Sequence, residues 1–542
     1  MSTKVTDPIR GTSEPDRYWT TTNLGEACPD VMSPMCWSVW EESAELGWLS
    51  SMAAFGVIPK SRVVVSPDVN DRGLSCFFGR QALNVDAIKR IMAGLPGVDP
   101  DDFERDLMGS VRPGAAKYKG SLARVPFILA KAPLALMTTG RRLQALHDEM
   151  YAKWLVQVFE PSGPVAGQPI DRLVAAREDF KRIFSVHCVW RFVFQGGQSA
   201  VTSAADAAGE PGLAMELLSG VGEVNETRMA DELWQLGRKE ISEREFLRSW
   251  GYHGPNEGNP FTEVWRENPA PVRALAAASA RREQRPAARA AFAAEANGAA
   301  ERRLMAATPA LRRPAVRWLL RRMRSIIRTL QVGKAGYLLT IDMARQAARN
   351  FGREQVSRGV LKHVDDVFFF TIEECQQMAA GRLTDIDEIV AVRRETRASY
   401  QAMSLPLSFT GMPEAVELHG DDLTADLVGA AAGGGTVTGR ARIVLEPAQD
   451  VELEPGDVLV CRFTDPSWAP LMAMADALVI DLGGSASHGA VVARELGIPY
   501  VIGTATATRV LREGDRIMVD GSNNRVTVIQ RAPGLADHST TV

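Results

Sequence analysis

The sequence predicts an α + α/β chain in which a large, mostly α-helical domain precedes a small β/β/α domain. Three observations carry this. Over residues 81–218, and again from Pro271 onward, apolar residues recur at helical spacing within Ala-, Leu-, Arg- and Glu-rich stretches. Over residues 405–435 that signal gives way to prolines, Asp421-Asp422 and Ala430-Ala-Ala-Gly-Gly-Gly435, the composition of a flexible connection. After Gly435, short β-like runs such as 458–460 and 516–519 surround a strand–glycine turn–helix–strand unit. The expected boundaries are 1–405 for the helical domain, 406–434 for the linker, 435–532 for the small domain and 533–542 for a tail.

A chain of 542 residues has room for two to four domains with substantial cores. Apolar content of 45% and charged content of 24% are ordinary for a globular protein. A net charge of −4 argues against general attraction to nucleic acid or membrane. No apolar run reaches the roughly 18 residues of a membrane span, and Met1-Ser-Thr-Lys-Val-Thr-Asp-Pro8 has no apolar signal core, so a cytoplasmic location is expected. The six cysteines form no CxxC pair, which points to reduced, mostly buried thiols, Cys461 included.

In chain order, residues 1–17 are polar, and then Trp19, Trp37, Trp40 and Trp48 gather aromatic area beside Asn23 and Glu26. Such density packs a core or walls an aromatic ligand pocket, and both readings stand. His147 and His187 fall in helical stretches, where a packed or solvated histidine is the default. Gly251-Tyr-His253-Gly-Pro-Asn256-Glu257-Gly-Asn-Pro260 is a breaker cluster and therefore a loop. It is read either as a solvated turn with an Asx-type hydrogen bond or as a general base and substrate-orienting set. Residues 271–328 hold fourteen arginines against three glutamates. With Phe292 and Trp318 the only aromatics there, this fits long helices with a basic solvated face better than a nucleic-acid arm. Arg328, Lys334 and Arg345 follow on the same helical segment as candidates for steering phosphate or anionic substrate.

The unit around which the rest is organised is Asp481-Leu-Gly-Gly-Ser-Ala-Ser-His488-Gly-Ala-Val-Val-Ala-Arg-Glu-Leu-Gly-Ile-Pro499. The run 477–480 reads as a buried strand, Gly483-Gly484 as a tight turn, and Ser485 or Ser487 as a helix cap. Gly497 and Pro499 stop the helix before a strand at 500–502. His488 then stands in the first turn, where free N–H groups and the helix dipole favour a phosphoryl group. This makes it a candidate phosphate-carrying nucleophile.

The run 483–499 resembles the phosphohistidine motif of the PEP-utilising (dikinase) superfamily, which includes rifampicin phosphotransferase and phenylphosphate synthase. Thr438-Gly-Arg-Ala-Arg442, Gly456-Asp-Val-Leu-Val460, Thr464-Asp-Pro-Ser-Trp468 and Asp520-Gly521 fit the same pattern. The resemblance implies a swivelling phosphohistidine domain in which His488 is phosphorylated in turn. Gly484, Ser487, Gly489, Arg462 and Thr464 are its expected phosphate contacts. The segment from Trp19 to Ser38 resembles the start of a rifampicin phosphotransferase-like substrate domain, implying Trp19, Asn23, Glu26 and Trp37 as substrate residues. The 251–257 loop resembles that family's Gly-His-Arg-Gly-Pro-x-Glu loop, with the histidine one position later and the arginine absent. It implies Glu257 and His253 as proton acceptors; Asn256, within the same loop, and Arg328 and Lys334, from their place on the helical segment, are the expected substrate contacts. Asp365-Asp-Val-Phe-Phe-Phe370 resembles a structural segment of the same family.

The superfamily uses an ATP-grasp domain for ATP and a barrel for PEP, and neither pattern is present in this sequence. The expectation is a separate ATP-grasp subunit that binds ATP and most of the Mg²⁺. His488 would take the phosphoryl group from it and deliver it to the hydroxyl of a small aromatic, phenolic substrate. The alternatives are a rifampicin-type antibiotic phosphotransferase and a non-catalytic phosphocarrier.

Overall fold

A computed structural model describes residues 5–532 apart from 23–27, 29, 96–98, 109–110, 119–121, 162–165, 211–212, 219, 222–224, 282–284, 404, 415–425, 430, 446–452, 465–467 and 485–486. The first part is mostly helical, as expected. Its centre is the helix Arg313–Ser357, 45 residues long, packed against Pro169–Ala207 and Val125–Trp154, with Pro34–Ala54 laid across Pro169–Ala207. These helices bury wide apolar stripes, and tertiary packing rather than local propensity holds such lengths straight. At the crossing, Trp40 meets Phe180, Phe184 and Tyr337 edge-on, with centroids 4.9, 5.3 and 6.1 Å away. Pro34–Ala54 starts cleanly because Ser33 accepts the Cys36 N–H and Pro34 occupies the first turn.

Three expectations change. Residues 81–84, expected to open a helical stretch, belong to the strand Arg80–Asn84. It lies between Leu74–Phe77 and Tyr18–Thr20 in a four-stranded antiparallel sheet. The last strand of that sheet is Ser408–Thr410, with Phe409 opposite Trp19. The segment expected as a 406–434 linker therefore begins as part of the helical domain's sheet. It ends in the strands Asp426–Val428 and Ala431–Gly433 of the second sheet. Pairing with strands distant in sequence supplies order that the Gly- and Pro-rich composition does not announce.

The second sheet has eight strands, in the order Asp426–Val428, Arg525–Gln530, Arg516–Asp520, Thr436–Ile443, Asp457–Cys461, Ala477–Ile480, Tyr500–Ile502, Ala431–Gly433. The four strands from Thr436–Ile443 to Tyr500–Ile502 run parallel, and both their faces are apolar. Val458, Val460, Val479 and Val501 face one cluster, while Leu459, Cys461, Leu478 and Ile480 face the other. The two edge strands are neighbours in sequence, so the sheet curls until its edges approach at Gly429, where a Cβ would lie 2.7 Å from the Ile502 carbonyl oxygen. The second cluster does not stop at the domain edge. Leu471, Met472 and Leu496 share it with Met229, Leu233, Trp250 and Trp265 of the helical domain. The C-terminal domain is thus seated on the helices Asn225–Gly237, Ala270–Ala280 and Pro286–Ala307.

Candidate functional site

His488 is the first residue of the helix His488–Leu496. Gly483, at φ +133°, makes the turn after the strand Ala477–Ile480 that a side chain would resist. Of the two serines considered as the cap, Ser487 fills the role, its Oγ accepting the Ala490 N–H at 3.2 Å, while Ser485 lies outside the described residues. Asp481 fastens the turn from below, its carboxylate accepting from the hydroxyls of Thr504 and Thr508. Burial raises the Asp481 carboxyl above its usual range, and these bonds oppose it.

The expected phosphate residues gather at this end of the helix. The Asp481 and Leu482 N–H groups donate to the carbonyls of Cys461 and Arg462 at 3.0 and 2.8 Å, tying the two loops together. A Cβ on Gly489 would lie 2.6 Å from Ile480 Cδ1 and 2.8 Å from Thr464 Oγ1. The Thr464 hydroxyl therefore rests directly against the first turn, and glycine at 489 is what admits it. Gly484, Ser487 and Thr464 are buried, and Arg462 is exposed. Arg462 lies within electrostatic reach of Arg80 in the helical domain. Burial lowers the Arg80 guanidinium below its ordinary range, and the like charge of Arg462 lowers it further. Arg80 itself is held by the carbonyls of Tyr400 and Met403 at 3.1 and 2.8 Å. The charge of Arg462, whose backbone carbonyl is tied to the turn by the Leu482 N–H, is thus felt at Arg80 across the domain boundary.

The 251–260 loop is buried rather than solvated. His253 Nδ1 and Glu257 Oε2 are 2.6 Å apart, and both side chains are nearly sealed from solvent. The imidazole sits against Tyr252, with Trp250 and Trp265 near it. Arg345, offered above for steering anions, instead pins this loop. It is fully buried, pairs with Asp342 at 2.6 Å and donates to the carbonyls of Glu257, Asn259 and Thr262. Burial alone would raise Asp342, but Arg266, Arg345 and the Trp154 indole hold it at about 2. Asn256 takes the left-handed conformation at φ +51°, which asparagine tolerates better than most residues.

His253 and Lys334 line one cleft of about 10 Å³, together with Glu226, Asn225 and Gln331. Arg328 points elsewhere and donates to the Val221 carbonyl at 2.7 Å. Trp19 and Trp37 line neither this cleft nor the larger cavity beside Trp40. Trp19 is wholly buried against Phe77, and its indole donates to Ser13, while Trp37 belongs to the helical core. The aromatic wall comes from Trp40 and Trp48, which with Phe103, Phe184, His187 and Arg191 line a cavity of about 480 Å³. Trp40 also donates to the Gly258 carbonyl at 2.9 Å, joining this cavity's wall to the His253 loop. Burial, with Arg191 and Lys334 nearby, holds His187 at about 3 and therefore neutral. Asn23 and Glu26 lie outside the described residues. Sequence reasoning missed Arg80, Glu226 and Glu495. For Glu495 a signal existed, because it follows Val492 by three residues and precedes Leu496, inside the helix's apolar stripe.

Comparison with known proteins adds two separate matches. Residues 453–524 match the family described as "PEP-utilising enzyme, mobile domain". Residues 239–329, which hold the His253 loop, match the rifampicin phosphotransferase fourth domain. Rifampicin phosphotransferase of a Streptomyces species is 38% identical over 40% of this chain and 25% of its own length. Those of Bacillus subtilis and Bacillus cereus are 34% and 32% identical, over 36% and 38% of this chain and 23% and 24% of their own lengths. The chain therefore spans about a quarter of the length of these relatives. Among the described residues, no group of three or more His, Cys, Asp or Glu side chains is placed to hold a metal ion. Magnesium, which the resemblance implies, finds no such cluster among the described residues. No helix among them is long and apolar enough to cross a membrane.

Proposed function

We propose that the chain is the carrier-and-acceptor part of an ATP-dependent phosphotransferase of the dikinase type. In this reading a ring nitrogen of His488 accepts a phosphoryl group from ATP on a separate ATP-grasp subunit. It then delivers the group to a hydroxyl on a substrate held by the helical domain. The observation that carries the reading is the environment of the helix N-terminus: the Ser487 cap, Thr464 laid against Gly489, and the Arg462 loop tied to the turn by the Leu482 N–H. Fixed donors and positive charge are what phosphoryl transfer asks of a protein. At the acceptor end, the contact between His253 Nδ1 and Glu257 Oε2 at 2.6 Å orients the ring, in the manner of an oriented catalytic imidazole.

A small phenolic acceptor is the first reading. The cavity of about 480 Å³ behind Trp40 favours a second one, a bulky hydroxylated antibiotic, because its size suits a drug-sized ligand. The test is to mix the full chain with Mg-ATP and a candidate ATP-grasp protein, then follow labelled phosphate onto His488 and onward to phenols or macrocyclic drugs. Labelling is expected to vanish in His488→Ala. Label that persists in this variant would sink the proposal, and the acceptor that takes the label decides between the two readings.

A further inference from the structure

The far end of the His488 helix carries a carboxyl buried at the domain boundary. Glu495 is only 3% exposed, and its Oε2 accepts the Val221 N–H of the helical domain at 3.2 Å. The carbonyl of the same Val221 accepts from Arg328 on the long helix at 2.7 Å. One residue of the helical domain is therefore gripped by both domains. Around it, Leu496 and Leu471 share an apolar cluster with Met229 and Leu233 across the boundary. An apolar seat of this kind supplies adhesion, and the carboxyl supplies a polar contact that exists only when the seat is closed.

The charges around Glu495 come from several elements. Arg494 lies on its own helix, Arg328 on the long helix, and Glu226 on Asn225–Gly237. On Pro286–Ala307, which also packs on the His488 helix, Glu301 is engaged by Arg324 and Arg303 by Glu210. The adjoining Tyr500 phenol is drawn to Arg494. Burial is the largest influence and raises Glu495 from 4.5 to about 8, with Glu226 adding to it and Arg494, the Val221 bond and Arg328 opposing it.

We propose that Glu495 is a proton-operated latch: seating the C-terminal domain takes up one proton from solvent at this carboxyl, and release gives it back. The sign follows from linkage. The seated carboxyl holds its proton more tightly than the free one, so seating is strongest below the free value of about 4.5 and is lost as pH rises through about 8. Between those limits the seating constant falls about tenfold per pH unit. Near neutrality the latch is neutral and closed yet within reach of release, as a carrier that must leave its acceptor requires. The latch itself needs no assumption about His488; its use in phosphoryl transfer rests on the function proposed above.

Hydrogen exchange read by mass spectrometry on the full chain tests it, with rates corrected for the intrinsic pH dependence of exchange. Opening of the peptides containing Val221 and residues 488–496 is expected to rise about tenfold between pH 7 and pH 9.5. Peptides from the centre of the long helix should not change. In Glu495→Gln, which keeps the acceptor oxygen and cannot ionise, the rise should fall below about twofold. A flat wild-type profile, or the wild-type rise retained in Glu495→Gln, overturns the proposal. Should that variant not fold, the wild-type profile decides, with the radius of gyration from X-ray scattering required to grow over the same pH range. Phosphate labelling of His488 is scored separately, so the latch and the proposed function fail independently.

Discussion

Asp342 and Glu495 are both buried acids that accept hydrogen bonds from groups distant in sequence, and their surroundings drive them in opposite directions. Asp342 lies between Arg266 and Arg345 and stays ionised at about 2; Glu495 has no comparable fixed counter-charge and is held at about 8. The first belongs to a network that clamps the 251–268 segment onto the long helix through Arg266, Arg345 and Arg349. The second belongs to the boundary where one domain sits on another. A buried acid paired directly with two guanidiniums is a permanent fixture, whereas one that feels Arg494 and Arg328 without an ion pair to either is a contact whose strength depends on the solvent. The region that must hold the His253–Glu257 pair in place and the region that must let go are built from the same residue type in different company.

Substitutions can break or sharpen this contrast. The largest effect is expected from Asp342→Ala, which strands two buried guanidiniums and should cost about 3–5 kcal/mol in urea unfolding. For the wild-type chain, the Asp342 contribution is present above the unfolded value of about 3.8 and lost as pH falls through about 2. This is opposite in sign to the latch, so acid should loosen the helical domain while alkali loosens the boundary. Next comes Gly489→Ala, whose new Cβ meets Ile480 and Thr464. An overpacking cost of about 1–3 kcal/mol is expected, together with loss of His488 labelling while the helical domain keeps its thermal transition. The smallest is Ser487→Ala, a lost cap worth about 1 kcal/mol, read from the thermal unfolding of the C-terminal domain. A cost near zero for Ser487→Ala would mean that the cap contributes nothing to holding the first turn.

The sequence by itself determined the His488 unit. The apolar run 477–480, the turn glycines, the serine cap and the Gly497 stop are all local signals. Backbone conformation and helix capping act over a few residues, so they can be read a few residues at a time. The mostly helical character of the first domain was legible for the same reason, in repeated periodicity. What tertiary structure decided was partnership. Trp19 and Trp40 look alike in sequence, but a strand buries one against Phe77 while a helix crossing leaves the other beside a cavity. Ser408–Thr410 reads as linker until Tyr18–Thr20 pairs with it. Arg345 reads as a free cation until Asp342 and three carbonyls of the loop claim it. The charge of Arg462 felt at Arg80, and the Glu495 carboxyl on the Val221 N–H, arise across a domain boundary, and no local pattern encodes which surface another domain will cover. Charge, burial and hydrogen bonding at such a boundary are properties of both faces together, so only the folded chain fixes them.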